Sequence, residues 1–387
     1  MSAATPFAGE IPSPFLRHPE SADTVSANER DLLDLVRHHG TTTRAELVRA
    51  TGLTAQSVMR LVDELVERGM LRMGETIVRG RGKPAVAISL DPGFAFSLGL
   101  SITTDSLALC LIDFAGEVRA RHEEALKLTQ RAALVKRVDT LVRQVTRRAA
   151  VPPGRLLGMG VGTTGFFIGD GARMNPPDPL DDIALVELDQ LLCAATGLAV
   201  WLDNDGSVAA IGESLYGVGH DYRDFAYYFF GHGFGGGMIL GGRCYRGHHG
   251  NAGEFAGMLP ALGYERPALE ILRTLLVDDG HDVPTIQAML DRYDPTWPAV
   301  QRWLDRVTPG ISAVTSAVVA LADPAAIVLG GRIPKALANQ LASRIAIDNV
   351  PRRGHGRPLP AIVIARAPHD PVALGAASLP FKECFFW

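Results

Sequence analysis

Apolar positions recur along this chain with two different periods, and the period changes near residue 91. From residue 27, Leu32, Leu33, Leu35 and Val36 fit a helix that ends near Gly40. Thr43 then stands where an N-cap would, with Glu46 three residues on, ahead of a short helix over residues 44–51 that stops at Gly52. Thr54 caps the next helix, residues 55–68, whose inward face is Val58, Leu61, Val62 and Leu65 and which stops at Gly69. Two short helices about a Gly-Leu-Thr turn, the second amphipathic, predict a helix-turn-helix. Residues 70–72 and 85–89 alternate like strands around the polar span 74–83, which predicts a wing.

Beyond Asp91-Pro92-Gly93 the grammar becomes strand and helix in alternation. Strands are predicted over 95–102, 107–112 and 118–126, a helix over 132–149, a buried strand over 156–161 and a turn at 162–165. A helix near 185–195 leads to a strand over 199–202 that runs into Asp203-Asn204-Asp205, with a helix from about Ser207. An aromatic strand, 225–230, opens a glycine-dense stretch through Gly237, and a strand over 326–329 ends in Gly330-Gly331. Residues 298–321 predict a long helix, read as core with a dimer contact as the other possibility. Such alternation predicts an α/β fold.

Composition narrows the class. The 387 residues, 47% hydrophobic and 21% charged, suit a soluble globular protein of more than one domain. No apolar run reaches the roughly 18 residues of a membrane span. Residues 1–19 lack a secretory pattern, so the expected compartment is the cytoplasm. Cys110, Cys193, Cys244 and Cys384 are scattered without a CxxC pair, so neither a disulfide framework nor a cysteine metal site is expected. The net charge of −4 conceals a basic stripe: between 68 and 83, Arg68, Arg72, Arg79, Arg81 and Lys83 face Glu75 alone. A cationic stripe on an acidic protein points to a local polyanion contact.

Two sets of residues carry candidate chemistry. Residues early in the second helix of a helix-turn-helix face base edges in the major groove. Here these are Ala55, Gln56, Ser57 and Arg60; Gln56 suits adenine and Arg60 guanine. Arg44 is placed to meet a phosphate, and the slim run around Arg79, Arg81 and Lys83 suits a narrow minor groove. In the second set, Gly231–Gly237 reads either as a backbone cradle for a phosphate or as a plain glycine-rich hairpin. Asp205 lies at a strand end, where open α/β sheets bind ligands, yet its spacing favours an N-cap role.

This order of motifs resembles the ROK family of bacterial repressors and sugar kinases, from about residue 25 to 377. Arg81–Pro84 resembles the family's wing, Gly162–Gly165 its GxPG turn with Thr164 in place of proline, and Asn204-Asp205 its ND pair, whose Asp is the base in kinases. Gly250–Glu254 resembles the start of the GxAGEIGH segment, Ala268–Glu270 the end of the CxCGxxGCxE segment, and Ile327–Gly331 the IVLGG turn on the adenosine side. The resemblance implies a tail over 1–24, a winged helix over 25–91, and over 92–387 a two-lobed actin/hexokinase-like (ribonuclease H-like) domain. Lobe I is expected over about 92–204 plus the C-terminal segment, and lobe II over about 205–365. It also implies a sugar-like effector held by Asn175, Asn204, Asp205, Glu254 and Glu270, and a homodimer on a double-stranded operator.

Departures from the family pattern shape the rest of the expectation. The DxGGT phosphate turn is replaced by Ser101-Ile102-Thr103-Thr104-Asp105, and the threonine of GTGxGGG is His232. The family's zinc positions fall at Gly257 and near Ala261, Gly263 and Ala268, none of them a ligand. Neither ATP nor zinc is therefore expected as a cofactor. The reading is a repressor with a sugar effector; the alternatives are a sugar kinase with a DNA-binding arm, or a ROK domain that serves only to dimerise.

Overall fold

The computed structural model describes residues 25–387 except 78–83, 127–129, 170 and 369. The expected tail over 1–24 and the wing cations Arg79, Arg81 and Lys83 lie outside the described residues.

Helix α1 (Ala27–His39) starts on a capping box in which Ser26 and Glu29 each accept the other's backbone N–H. α2 (Arg44–Thr51) is capped by the Thr43 hydroxyl and ends at a left-handed Gly52, and α3 (Ala55–Glu67) is capped by Thr54. β1 (Leu71–Ile77) and β2 (Ala85–Leu90) form an antiparallel ribbon, longer than the alternation alone suggested.

Strands β3 (Phe96–Ile102), β4 (Ser106–Asp113) and β5 (Val118–Ala125) form a meander. α4 (Arg131–Arg148) then leads to β6 (Leu156–Thr163). A short ribbon, β7 (Phe166–Phe167) with β8 (Met174–Asn175), precedes α5 (Leu188–Thr196), β9 (Val200–Asn204) and α6 (Asp205–Tyr216). The second meander is β10 (Phe225–Phe230), β11 (Phe234–Leu240) and β12 (Arg243–Tyr245). There follow α7 (Leu269–Asp278), α8 (Ile286–Asp291), α9 (Pro298–Ala322), β13 (Ala326–Gly331), α10 (Lys335–Ala342), β14 (Ala361–Ile364) and α11 (Pro371–Cys384).

The two five-stranded sheets have the same order, β5-β4-β3-β6-β9 and β12-β11-β10-β13-β14, so one plan is built twice. In each, a meander supplies the antiparallel half and crossover connections supply the parallel half. The crossing helices are exchanged: α6 leaves the first sheet and packs on β10 and β11, while α11 leaves the second and packs on β3 and β6. α11 lies so close that a Cβ on Gly99 or Gly160 would fall 1.9 Å from a helix carbonyl oxygen. α9 buries Trp303, Leu304, Val307, Ile311 and Val314, which places it in the core.

The winged helix shares its core with the first sheet. Leu32, Leu33, Val36, Val58 and Leu65 belong to one apolar cluster with Phe94, Phe114, Phe381, Phe385 and Phe386. Arg30 on α1 donates to the carbonyls of Lys382, Glu383 and Phe386 at 2.7–3.1 Å, and the Trp387 indole donates to Asp31 at 2.6 Å. No helix among the described residues is long and apolar enough to cross a membrane.

Candidate functional site

Between the two sheets lies a cleft of about 780 Å³. Its floor is the junction of β9 and α6. Here the expectation that Asp205 caps the helix is corrected: Asn204 is the cap. Its side-chain oxygen accepts from the N–H of Gly206 at 2.8 Å and of Ser207 at 3.2 Å, and its amide donates to the Gly165 carbonyl at 2.7 Å. A helix start leaves N–H groups without internal partners, and the residue before the first turn is the one that can reach them. Asn204 therefore ties the Thr164–Gly165 turn to α6 and is a positioning residue rather than an open effector contact.

Asp205 is freed from capping and buried, with Oδ2 accepting from the Thr164 hydroxyl at 2.6 Å and Oδ1 from the Gly206 N–H at 2.8 Å. Burial raises its pKa, and these hydrogen bonds pull it back. Thr164, where the resembled family has proline, is thus the direct partner of the acid.

The glycine stretch also resolves. Only Gly231–Gly233 is loop; Gly235, Gly236 and Gly237 lie inside β11, paired with Phe229, Tyr228 and Tyr227. The stretch is a hairpin whose bare strand lets the next segment press against it. Gly253, at φ +108°, needs that bareness: a Cβ there would lie 2.4 Å from the Gly236 carbonyl oxygen. This contact brings Glu254 to the cleft, where its carboxylate makes no hydrogen bond. Its pKa is pushed up to about 7, by burial first and then by the charge of Asp205, with Arg266 opposing. By surface area Glu254 is an exposed residue at the cleft, so solvent reaches its carboxylate and moderates this shift. Asn251, not singled out from the sequence, clamps Phe167 with both amide atoms, accepting from its N–H at 2.8 Å and donating to its carbonyl at 2.9 Å.

The remaining expected contacts divide. Asn175 is exposed on β8 at the cleft wall. Glu270 lines the same cleft, but its carboxylate is forked by Arg273 of the next helical turn, with His232 Nδ1 at 3.9 Å. It is therefore less open to a ligand than the sequence suggested. Arg266, also in the cleft, makes no side-chain hydrogen bond among the described residues. The positions of the family zinc motif, Gly257, Ala261, Gly263 and Ala268, offer no ligand atoms, so these residues do not fit a zinc ion. Among the described residues there is no group of three or more His, Cys, Asp or Glu able to hold a metal.

Away from the residues that line this cleft, an ion pair links the first sheet to the second. Asp105, in the β3–β4 turn, pairs with Arg332, which follows β13; both side chains are 14% exposed. Gln287 on α8 completes the bridge, accepting from Arg332 at 2.9 Å and donating its backbone N–H to Asp105 at 3.1 Å. The two turns that resemble phosphate and adenosine contacts are thus joined to each other.

On the winged helix, Gln56 and Arg60 are exposed on α3. Arg60 is held by Glu64 at 2.7 Å, Arg44 is paired with Asp63, and the Ser57 hydroxyl is 2.8 Å from that of Thr54. Of these four candidates, Gln56 alone has an uncommitted side chain.

The chain is thus a winged helix joined to a duplicated, cleft-bearing α/β domain. The ROK family profile matches residues 97–262, and the MarR family profile matches residues 24–82. The chain joins a MarR-type winged helix to a ROK family domain. It is 26% identical over 368 residues to an uncharacterised protein of Sinorhizobium fredii, covering 94% of this chain and 92% of that one. It is 24% identical over 308 residues to a putative xylose repressor of a Caldicellulosiruptor species, covering 74% and 76%. A crystal structure of a ROK family transcriptional regulator, a homologue of the Escherichia coli MLC protein, superposes with a TM-score of 0.67 at 20% identity, over 92% of this chain and 95% of that one.

Proposed function

We propose that this chain is a DNA-binding transcriptional repressor of carbohydrate-related genes, controlled by a sugar or sugar derivative in the interlobe cleft. The observation that carries this reading is the contrast between the cleft and the ion pair that joins the two sheets. Glu254, beside Asp205, is a carboxylate without a partner, placed to accept hydrogen bonds from a polyol, whereas the two turns that resemble nucleotide contacts are joined by Asp105 and Arg332. Phosphoryl transfer is not part of this reading, because an ATP triphosphate needs the space and the donors that this ion pair takes.

Coupling follows from the exchanged helices. α6 begins at Asp205 in the cleft, and α11 ends in the Phe385-Phe386-Trp387 segment that holds α1. An effector that favours one arrangement of the sheets thereby favours one placement of the winged helix. One winged helix makes few base contacts, so the working form is a homodimer on a pseudo-palindromic operator in the cytoplasm. Arg79, Arg81 and Lys83 supply the minor-groove contact, with Arg44 on a phosphate once DNA competes with Asp63.

The test has two arms. A thermal-shift screen of hexoses, pentoses, N-acetyl sugars and their phosphates is expected to give a ligand that raises the melting temperature. That ligand is expected to change the affinity for an operator chosen from a random duplex library. Saturable sugar phosphorylation with ATP refutes the reading, and a screen with no shift favours a domain used only for dimerisation.

A further inference from the structure

Helix α3 turns Val58, Leu61, Val62 and Leu65 into the core and leaves Ala55, Gln56, Met59, Arg60 and Asp63 exposed. Positions 56, 59, 60 and 63 are spaced as one face of a helix. On that face Met59 is the one apolar side chain larger than alanine, and half of its surface (50%) is open to solvent. Its charged neighbours are engaged within the protein, Arg60 with Glu64 and Asp63 with Arg44. Along the stripe, a flexible thioether therefore stands between the open amide of Gln56 and two held charges.

The edge of a base pair in the major groove carries donors, acceptors and one apolar feature, the thymine 5-methyl group. An unbranched, polarisable side chain can follow such a methyl across small changes in docking. We infer that Met59 is a specificity-determining residue that packs on a thymine 5-methyl group in each operator half-site. The inference rests on α3 being the helix that contacts bases, and it adds an apolar contact to the polar pairing of Gln56.

The experiment uses the full chain and duplex DNA. A preferred site is selected from a random-sequence library, and each thymine in it is then replaced singly by uracil, which removes only the methyl. Wild-type protein is expected to lose about fourfold in affinity at one thymine per half-site, the value of one buried methyl. Met59→Ala is expected to bind the thymine and uracil duplexes equally while keeping its preferences at the other positions. Met59→Gln, which keeps the length and helix preference of the side chain, is expected to lose the same discrimination. Retention of the full thymine-to-uracil ratio by both variants overturns the inference, as does a site in which no thymine responds. A library that yields no preferred sequence refutes the DNA-binding reading itself, so the two failures are distinct.

Discussion

Two polar clusters stand between the two sheets of the duplicated fold, and their groups have opposite fates. In one, Asp105, Arg332 and Gln287 satisfy one another across the gap between the sheets. In the cleft, Glu254 and Arg266 make no side-chain hydrogen bond among the described residues, and Asp205 accepts from Thr164 and from its own helix start. A satisfied buried pair has no need of a ligand, whereas an exposed carboxylate without a protein partner is open to a donor from outside. The difference separates a closed polar cluster from an open one between the same two sheets.

The largest expected effect breaks the closed side. Replacing Asp105 or Arg332 singly with alanine leaves the other charge without its partner in a site only 14% exposed, and is expected to cost about 3 kcal/mol of stability in urea unfolding. The double variant is expected to recover part of that loss, since no charge is then stranded. Neither change is expected to create ATP hydrolysis, because the family's glycine and threonine donors are still missing. A single variant as stable as wild type would show that the two sides do not differ as described.

Next in size is the clamp on the winged helix. Arg30→Ala removes three hydrogen bonds to the carbonyls of residues 382, 383 and 386, an expected loss of about 2 kcal/mol. Hydrogen exchange is expected to quicken in α1 while β10 and β13 keep their protection. The effector is then expected to bind as before but to change operator affinity less, which separates occupancy of the cleft from its readout.

On the open side, Glu254→Gln keeps the shape of the side chain and removes the charge. Its affinity for whichever sugar shifts the melting temperature is expected to fall about tenfold, measured by calorimetry, with operator binding unchanged. An unchanged affinity would move the effector away from Glu254.

What could be read in advance follows the range of the interactions. The winged helix was legible because caps, apolar spacing and terminal glycines are all local, and Ser26, Thr43 and Thr54 act within three residues. α11 was not, because nearly every position from Val372 to Phe381 is buried, so the sequence carries no polar face to mark a helical period. The Asp105–Arg332 pair joins residues 227 apart, and no local pattern announces it. The placement of Glu254 at the cleft is legible from its glycine context, while the places of Asn204 and Asp205 are blurred because a cap and an acid sit side by side at one strand end. The Glu270–Arg273 fork, at helical i, i+3 spacing, is a local pairing that the sequence itself carries.

The pH dependence is the most diagnostic probe of the open side, and because Glu254 is exposed its effect on stability is expected to be the smallest of these. Glu254 has an ordinary carboxyl value of 4.5 when unfolded and about 7 in the folded chain. Between those values the folded state holds a proton that the unfolded state has released, so this group lowers stability as pH rises from about 4.5 to 7, and the full penalty persists above. The melting temperature of Glu254→Gln is therefore expected to match wild type near pH 4.5 and to exceed it at pH 8. A bound sugar should reverse the balance. If its hydroxyl donates to the ionised carboxylate, binding favours the charged form and releases protons near pH 6.5, which calorimetry in buffers of different ionisation enthalpy will detect. Proton uptake on binding would mean that Glu254 donates rather than accepts, and the effector would then present an acceptor at that point. Glu254→Gln is expected to remove the linked proton in either case, because no other carboxyl of the cleft has been left without a partner.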